Sequence, residues 1–140
     1  MAAEWIQVSL RAWAADRCVG QEFFELLSAG EGDPLKRQSG SVPGQSALIH
    51  LVDEVASTYS SAPEPSEAFA GAVAEALLKG AAWLDARPPG AFAACRSRAI
   101  NVDVFVGAWI NQDQLDLNLP PEFLLACGRA GLSISIVTND

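Results

Sequence analysis

The chain carries one histidine, so any Ser-His-Asp or Cys-His arrangement for nucleophilic catalysis must use His50. His50 stands in an apolar run between Ile49 and Leu51, with Asp53 three positions on, and no G-x-S-x-G elbow occurs in the chain. A core or sheet-face histidine is the reading this supports. Cys95-Arg-Ser-Arg98 sets a thiol beside two cations, which would depress its pKa. It lacks the cysteine-to-arginine spacing of a phosphatase loop, so the arginines are read as solvating a helix end. Cys18, Cys95 and Cys127 are odd in number and widely spaced. That pattern excludes a zinc site or a secreted disulfide framework, and each is expected to be a buried, reduced thiol.

The glycine pairs Gly30-Glu31-Gly32 and Gly40 to Gly44 lack the Walker lysine and the G-x-G-x-x-G pattern, so they are turns. Asn111, Asp113 and Asp116 resemble a calcium loop, but counting from Asn111 puts Asp116 sixth and Glu122 twelfth, and counting from Asp113 puts Asn118 sixth and Leu124 twelfth. Neither frame fits, because both lack the sixth-position glycine. This segment is read as a solvated loop. No metal, no cofactor and no catalytic constellation is expected, and the protein is read as a non-enzyme.

Charge narrows the partners. Seventeen acids against nine bases give a net charge of -8 and a pI near 4.5. Phosphate binding needs clustered Lys and Arg, so nucleic acid is excluded as a partner. Residues 1–60 hold eight acids and four bases, residues 61–100 four of each, and residues 101–140 five acids and one base. The acid excess therefore sits toward the two ends of the chain. No apolar run approaches the ~20 residues of a membrane span. The start, Met1-Ala-Ala-Glu-Trp5, lacks a basic and apolar signal segment, so a cytoplasmic location is expected.

The elements that would position these residues fit one domain over 1–140. Ile6, Val8, Leu10 and Ala12 alternate with Gln7, Ser9, Arg11 and Trp13, which predicts a half-buried strand flanked by Trp5 and Trp13. A short helix follows over about 20–29, ending at Gly30. Ala47 to Val52 reads as a buried strand, with Asp53-Glu54 returning to solvent, and a further strand is allowed within 35–42. Ser66 can cap a long helix whose stripe is Phe69, Val73, Ala76, Leu77, Gly80 and Leu84, stopped by Pro88-Pro89-Gly90. One or two more helical turns fit 91–98. Ile100, Val102, Val104 and Val106 predict another strand, Pro120-Pro121 a helix start and Gly131 its end. Leu132, Ile134 and Ile136 make the last strand. The first and last units share a strand-loop-helix plan that hints at a pseudo-repeat. Amphipathic helices throughout imply an α+β fold: a two-layer α/β sandwich of ferredoxin-like type, one mainly antiparallel sheet with helices packed on one face.

Gln7-Val-Ser-Leu-Arg11, the helix around Phe23 to Leu27, Lys36-Arg37 and Gly40 resemble the opening of a bacterial family, domain of unknown function 4279. Asn101 to Phe105, Leu117-Asn-Leu-Pro-Pro-Glu-Phe-Leu-Leu125 and Ala130-Gly-Leu-Ser-Ile-Ser-Ile136 are similar to its closing strand, helix and strand. The resemblance implies no catalytic site. Small acidic proteins of this kind look like immunity proteins, which bind a cognate toxin domain in the cytoplasm and block its active site. An acidic surface would steer association with a basic toxin, for example a nuclease.

The expected toxin-binding interface comprises acidic loops with Asp53, Glu54, Glu64, Glu67, Asp113 and Asp116, anchored by an exposed aromatic such as Trp109 or Trp13. The competing reading is a small ligand-binding or regulatory module that uses the sheet face or a dimer groove. A homodimer through an exposed strand edge is also allowed.

Overall fold

A computed structural model describes residues 3–29, 35–56, 67–110 and 117–138. The expected alternation does form strands. They are β1 (Ala3–Trp13), β2 (Lys36–Gln38), β3 (Ala47–Val55), β4 (Asn101–Ile110) and β5 (Ile134–Thr138). The helices are α1 (Gly20–Leu26), α2 (Glu67–Asp85), α3 (Ala91–Ser97) and α4 (Pro121–Ala130).

The five strands make one sheet in the order β2-β3-β1-β4-β5. Each pairing among the first four strands in that order is antiparallel, and β5 runs parallel to β4. Strand β2 thus lies beyond β3, so that β1-α1-β2 straddles β3 while β3-α2-α3-β4 straddles β1. This is the split βαβ connection of a ferredoxin-like sandwich. Helix α4 then adds β5 beside β4, which is the ordinary route to a parallel neighbour. The first and last units are therefore not a repeat, because β2 does not pair with β1 whereas β5 pairs directly with β4.

Side chains alternate across the sheet, and the core lies on one side of it. Ile6, Val8, Leu10 and Ala12 of β1 are buried with Ala47, Ile49, Leu51 and Val52 of β3 and with Val104, Val106 and Ala108 of β4. The helices supply the other half of that core: Phe23 from α1, Phe69, Val73, Leu77 and Leu84 from α2, Phe92 and Cys95 from α3, Phe123 and Cys127 from α4. At the end of α4, Gly131 holds φ +72, and the Leu132 N–H donates to the Cys127 carbonyl at 2.9 Å. The left-handed residue turns the chain back into the sheet, as the expected glycine stop requires.

Several boundaries differ from the sequence reading. Helix α1 ends at Leu26, before Gly30, because Ser28 takes the left-handed conformation (φ 53) and turns the chain early. Strand β3 runs on to Val55, so Asp53 and Glu54 are strand residues and not loop residues. Strand β4 continues to Ile110, which places Trp109 in the sheet. Strand β5 begins at Ile134, leaving the buried Leu132 in the turn before it.

The register of β3 holds one irregularity that decides the chemistry of the sheet. Val8 pairs with Val52, yet Ser9 pairs with His50, so Leu51 is an extra residue. Such a β-bulge lets two successive side chains face one way. Leu51 and Val52 both enter the core, and beyond them the alternation is inverted. His50 and Asp53 consequently share the face that the helices leave uncovered, and Glu54, opposite Ile6, lies on the helix side.

Candidate functional site

The uncovered sheet face is where the chemistry collects. Its centre is an ion pair between neighbouring strands, since Arg11 and Asp103 are direct cross-strand partners. Arg11 Nε and Nη2 donate to the two Asp103 oxygens at 3.0 and 2.7 Å, and Ser135 Oγ on β5 lies 3.4 Å from the second. Two-point donation of this kind fixes geometry as well as charge. The guanidinium also lies against two rings, 5.0 Å from the Trp13 centroid and 4.6 Å from that of Phe105. Asp103 is only 6% exposed although it faces away from the core. Hydrogen bonding to Asp103 raises the Arg11 pKa further above its ordinary value.

Next to this pair, Ser9 Oγ lies 2.7 Å from His50 Nδ1. Burial pushes the His50 pKa down; Asp53 opposes that shift and Lys36, its partner on β2, adds to it. The neutral ring satisfies the buried Ser9 hydroxyl. Protonation would make both ring nitrogens donors and force the hydroxyl to accept. This is a serine–histidine contact without an oriented acid on the far ring nitrogen, and no nucleophile–base–acid relay is assembled among the described residues.

One end of the face is aromatic. Trp5 and Trp109 are direct cross-strand partners on β1 and β4, 39% and 54% exposed, and Val55 pairs with Trp5 on its other side. Trp5 Nε1 donates to Asp53 Oδ1 at 2.7 Å, which holds the indole and leaves its ring in solvent. Phe105 Cε1 comes within 3.4 Å of where a Gly107 side chain would begin, so the ring lies over the glycine between it and Trp109. Val137 on β5, opposite Gly107, is exposed and extends the patch. Exposed neighbouring aromatics of this kind mark binding surfaces more often than isolated ones.

The described members of the expected interface fall on different faces. Asp53 is exposed on the open face and Glu54 is partly buried on the other. Glu67 is exposed at the start of α2, in the helix layer. Glu64, Asp113 and Asp116 lie outside the described residues. Trp109 is exposed as expected, whereas Trp13 is half-buried under Arg11. Trp5, Val55 and Val137 lie outside the expected interface, although the strand alternation around Gln7 puts Trp5 on its polar side.

The remaining candidates belong to the fold. Cys95 and Cys127 are buried, and burial raises both thiols, Cys127 to about 11. Burial thus disfavours the thiolate form that a cysteine nucleophile uses. Cys18 is exposed, contrary to expectation, in the short irregular segment between the Ala14–Arg17 bridge and α1. A cleft of about 490 Å³ between α2, α3 and α4 is lined by Arg87, Arg96 and Arg129. All three are engaged: Arg129 with Asp85, Arg96 with the Ala130 carbonyl, and Arg87 with the Leu27 carbonyl and the Trp83 ring. No group of three His, Cys, Asp or Glu converges among the described residues, nor is any described helix long and apolar enough to cross a membrane.

The chain matches no protein-family model, no curated protein and no solved structure.

Two measurements check the central cluster. Asp103→Ala leaves a guanidinium between two rings without its acceptor, and the fold is expected to lose about 2 kcal/mol in urea unfolding, the size of a hydrogen bond to a charged group. A loss below about 0.5 kcal/mol, as at ordinary surface sites, contradicts this placement. The His50 shift fixes a sign as well. A histidine whose folded pKa is depressed contributes stability that is present above its unfolded value, about 6.5, and lost as pH falls through the folded value. Relative to His50→Gln, the wild type is expected to lose stability below that pH. An unchanged difference between the two proteins across the window rules it out.

Proposed function

We propose that this chain is a non-catalytic immunity protein that binds a cognate toxin domain in the cytoplasm and occludes its active site, as the resemblance to domain of unknown function 4279 implies. The observation that carries the reading is the Trp5–Trp109 pair, two neighbouring exposed indoles on a sheet face that none of the described helices covers. Aromatic anchors of this type supply most of the binding energy at protein interfaces, and truncating one typically costs about 2 kcal/mol or more. The net charge of -8 supports a basic partner, since complementary charge speeds encounter and selects against acidic proteins. Among the described residues, Asp53 is the one expected acid on that face, and it serves by orienting Trp5.

Occlusion asks nothing of the protein beyond a rigid, complementary surface. Ties from β1 to β3 and β4 provide the rigidity, and the indoles provide contact area at low entropic cost, having two side-chain torsions each.

Co-expression with the product of the neighbouring upstream gene tests the reading. Growth rescue and co-purification of the pair are expected, with affinity falling as salt rises. Trp5→Ala and Trp109→Ala should each weaken the complex roughly 30-fold, the equivalent of about 2 kcal/mol. Toxicity without rescue or binding contradicts the proposal. A metabolite co-purifying in stoichiometric amount would point to the ligand-binding module.

A further inference from the structure

The two edges of the sheet are treated differently by the sequence. Strand β2 is three residues long, wholly exposed, and carries Lys36 and Arg37. Short length and positive charge are the ordinary defences of an edge against pairing with another chain. Strand β5 has five residues, Ile-Ser-Ile-Val-Thr, without charge, proline or bulge. Its last three residues are exposed, Ile136 at 54% and Val137 at 52%.

The backbone of that edge is open as well. Val104 N–H donates to the Ser133 carbonyl at 2.9 Å, and Val104 is the Cα partner of Ile134. In a parallel ladder the groups bonded to the neighbour alternate along the strand. Ser133, Ser135 and Val137 therefore face β4, and the N–H and C=O of Ile134 and Ile136 point outward. Helix α4, which connects β4 to β5, exposes Leu124 and Leu125 in the layer above.

We infer that β5 pairs with β5 of a second copy of this chain, antiparallel about a two-fold axis at Ile136, joining two five-stranded sheets into one. Three features select a second copy over another occupant. The pairing is self-complementary, because Ile136 meets Ile136 and each outward N–H finds an outward carbonyl. The edge is neutral within a chain of net charge -8, so it is a place where two copies meet without setting acid against acid. Only one edge is undefended, so association closes at two chains and does not propagate. The two-fold stands perpendicular to the sheet, and the open faces of both copies stay on the same side, leaving the Trp5–Trp109 pairs available.

This inference is independent of the toxin reading, and salt separates them. Screening two like-charged bodies tightens the dimer as salt rises, whereas the complex with a basic toxin weakens. Light scattering of the full chain over a concentration series is expected to reach twice the 14.8 kDa of one chain. Ile136→Lys, at an exposed position, should return it to one chain with unchanged far-UV circular dichroism. In a Cys18→Ser background, Ile136→Cys should form an intermolecular disulfide under mild oxidation, because directly opposed residues of this pair type lie about 5.5 Å apart. Val42→Cys, exposed in the β2–β3 turn, should not. A single-chain mass at every concentration overturns the inference. So does a dimer that survives Ile136→Lys, or cross-linking at 42 in place of 136.

Discussion

The Arg11–Asp103 pair bridges β1 and β4 on the uncovered side of the sheet, and the rest of that face is arranged around it. A sheet with helices on one side only leaves its other side wet, and a carboxylate there would ordinarily be solvated. Here Asp103 is buried and bonded to Arg11, whose guanidinium lies against the rings of Trp13 and Phe105. Strand β1 is the hub. It reaches β4 through Arg11 and β3 through Ser9 with His50 and Trp5 with Asp53. The face is fixed by directional contacts where the opposite face is fixed by apolar packing.

The bulge at Leu51 is what allows this. Without the extra residue, the alternation that puts Ile49 in the core would put Asp53 there as well and turn Val52 to solvent. The bulge inverts the order after His50. Asp53 then meets Trp5, and a carboxylate that would have been a liability in the core becomes the orienting group of an exposed indole.

Much of the fold was legible in the sequence because it rests on local periodicity. The alternation Ile6 to Ala12, the stripe from Phe69 to Leu84, and the proline start and glycine end of α4 report the elements they form. Their boundaries were less legible. Ser28 in a left-handed conformation ends α1 before the glycine, and β4 runs through Gly107, where an isolated glycine reads as an interruption. The site was legible only in part. Trp109 was found as an exposed aromatic, but its neighbour Trp5 lies 104 positions away in sequence, and only strand pairing joins them. Adjacent in sequence, Asp53 and Glu54 look like one acidic return to solvent, but the strand divides them between two faces.

Four tryptophans are spread over the molecule in a way that reports on binding directly: Trp5 and Trp109 at one end of the open face, Trp13 at the other, and Trp83 on α2. The most direct measurement is the set of indole N–H resonances, followed by nuclear magnetic resonance while a purified toxin domain, the proposed partner, is added. The account predicts that the Trp5 and Trp109 signals shift or broaden while Trp83 stays in place. Movement of Trp83 with Trp5 and Trp109 unchanged would place the partner on the helix layer and contradict it.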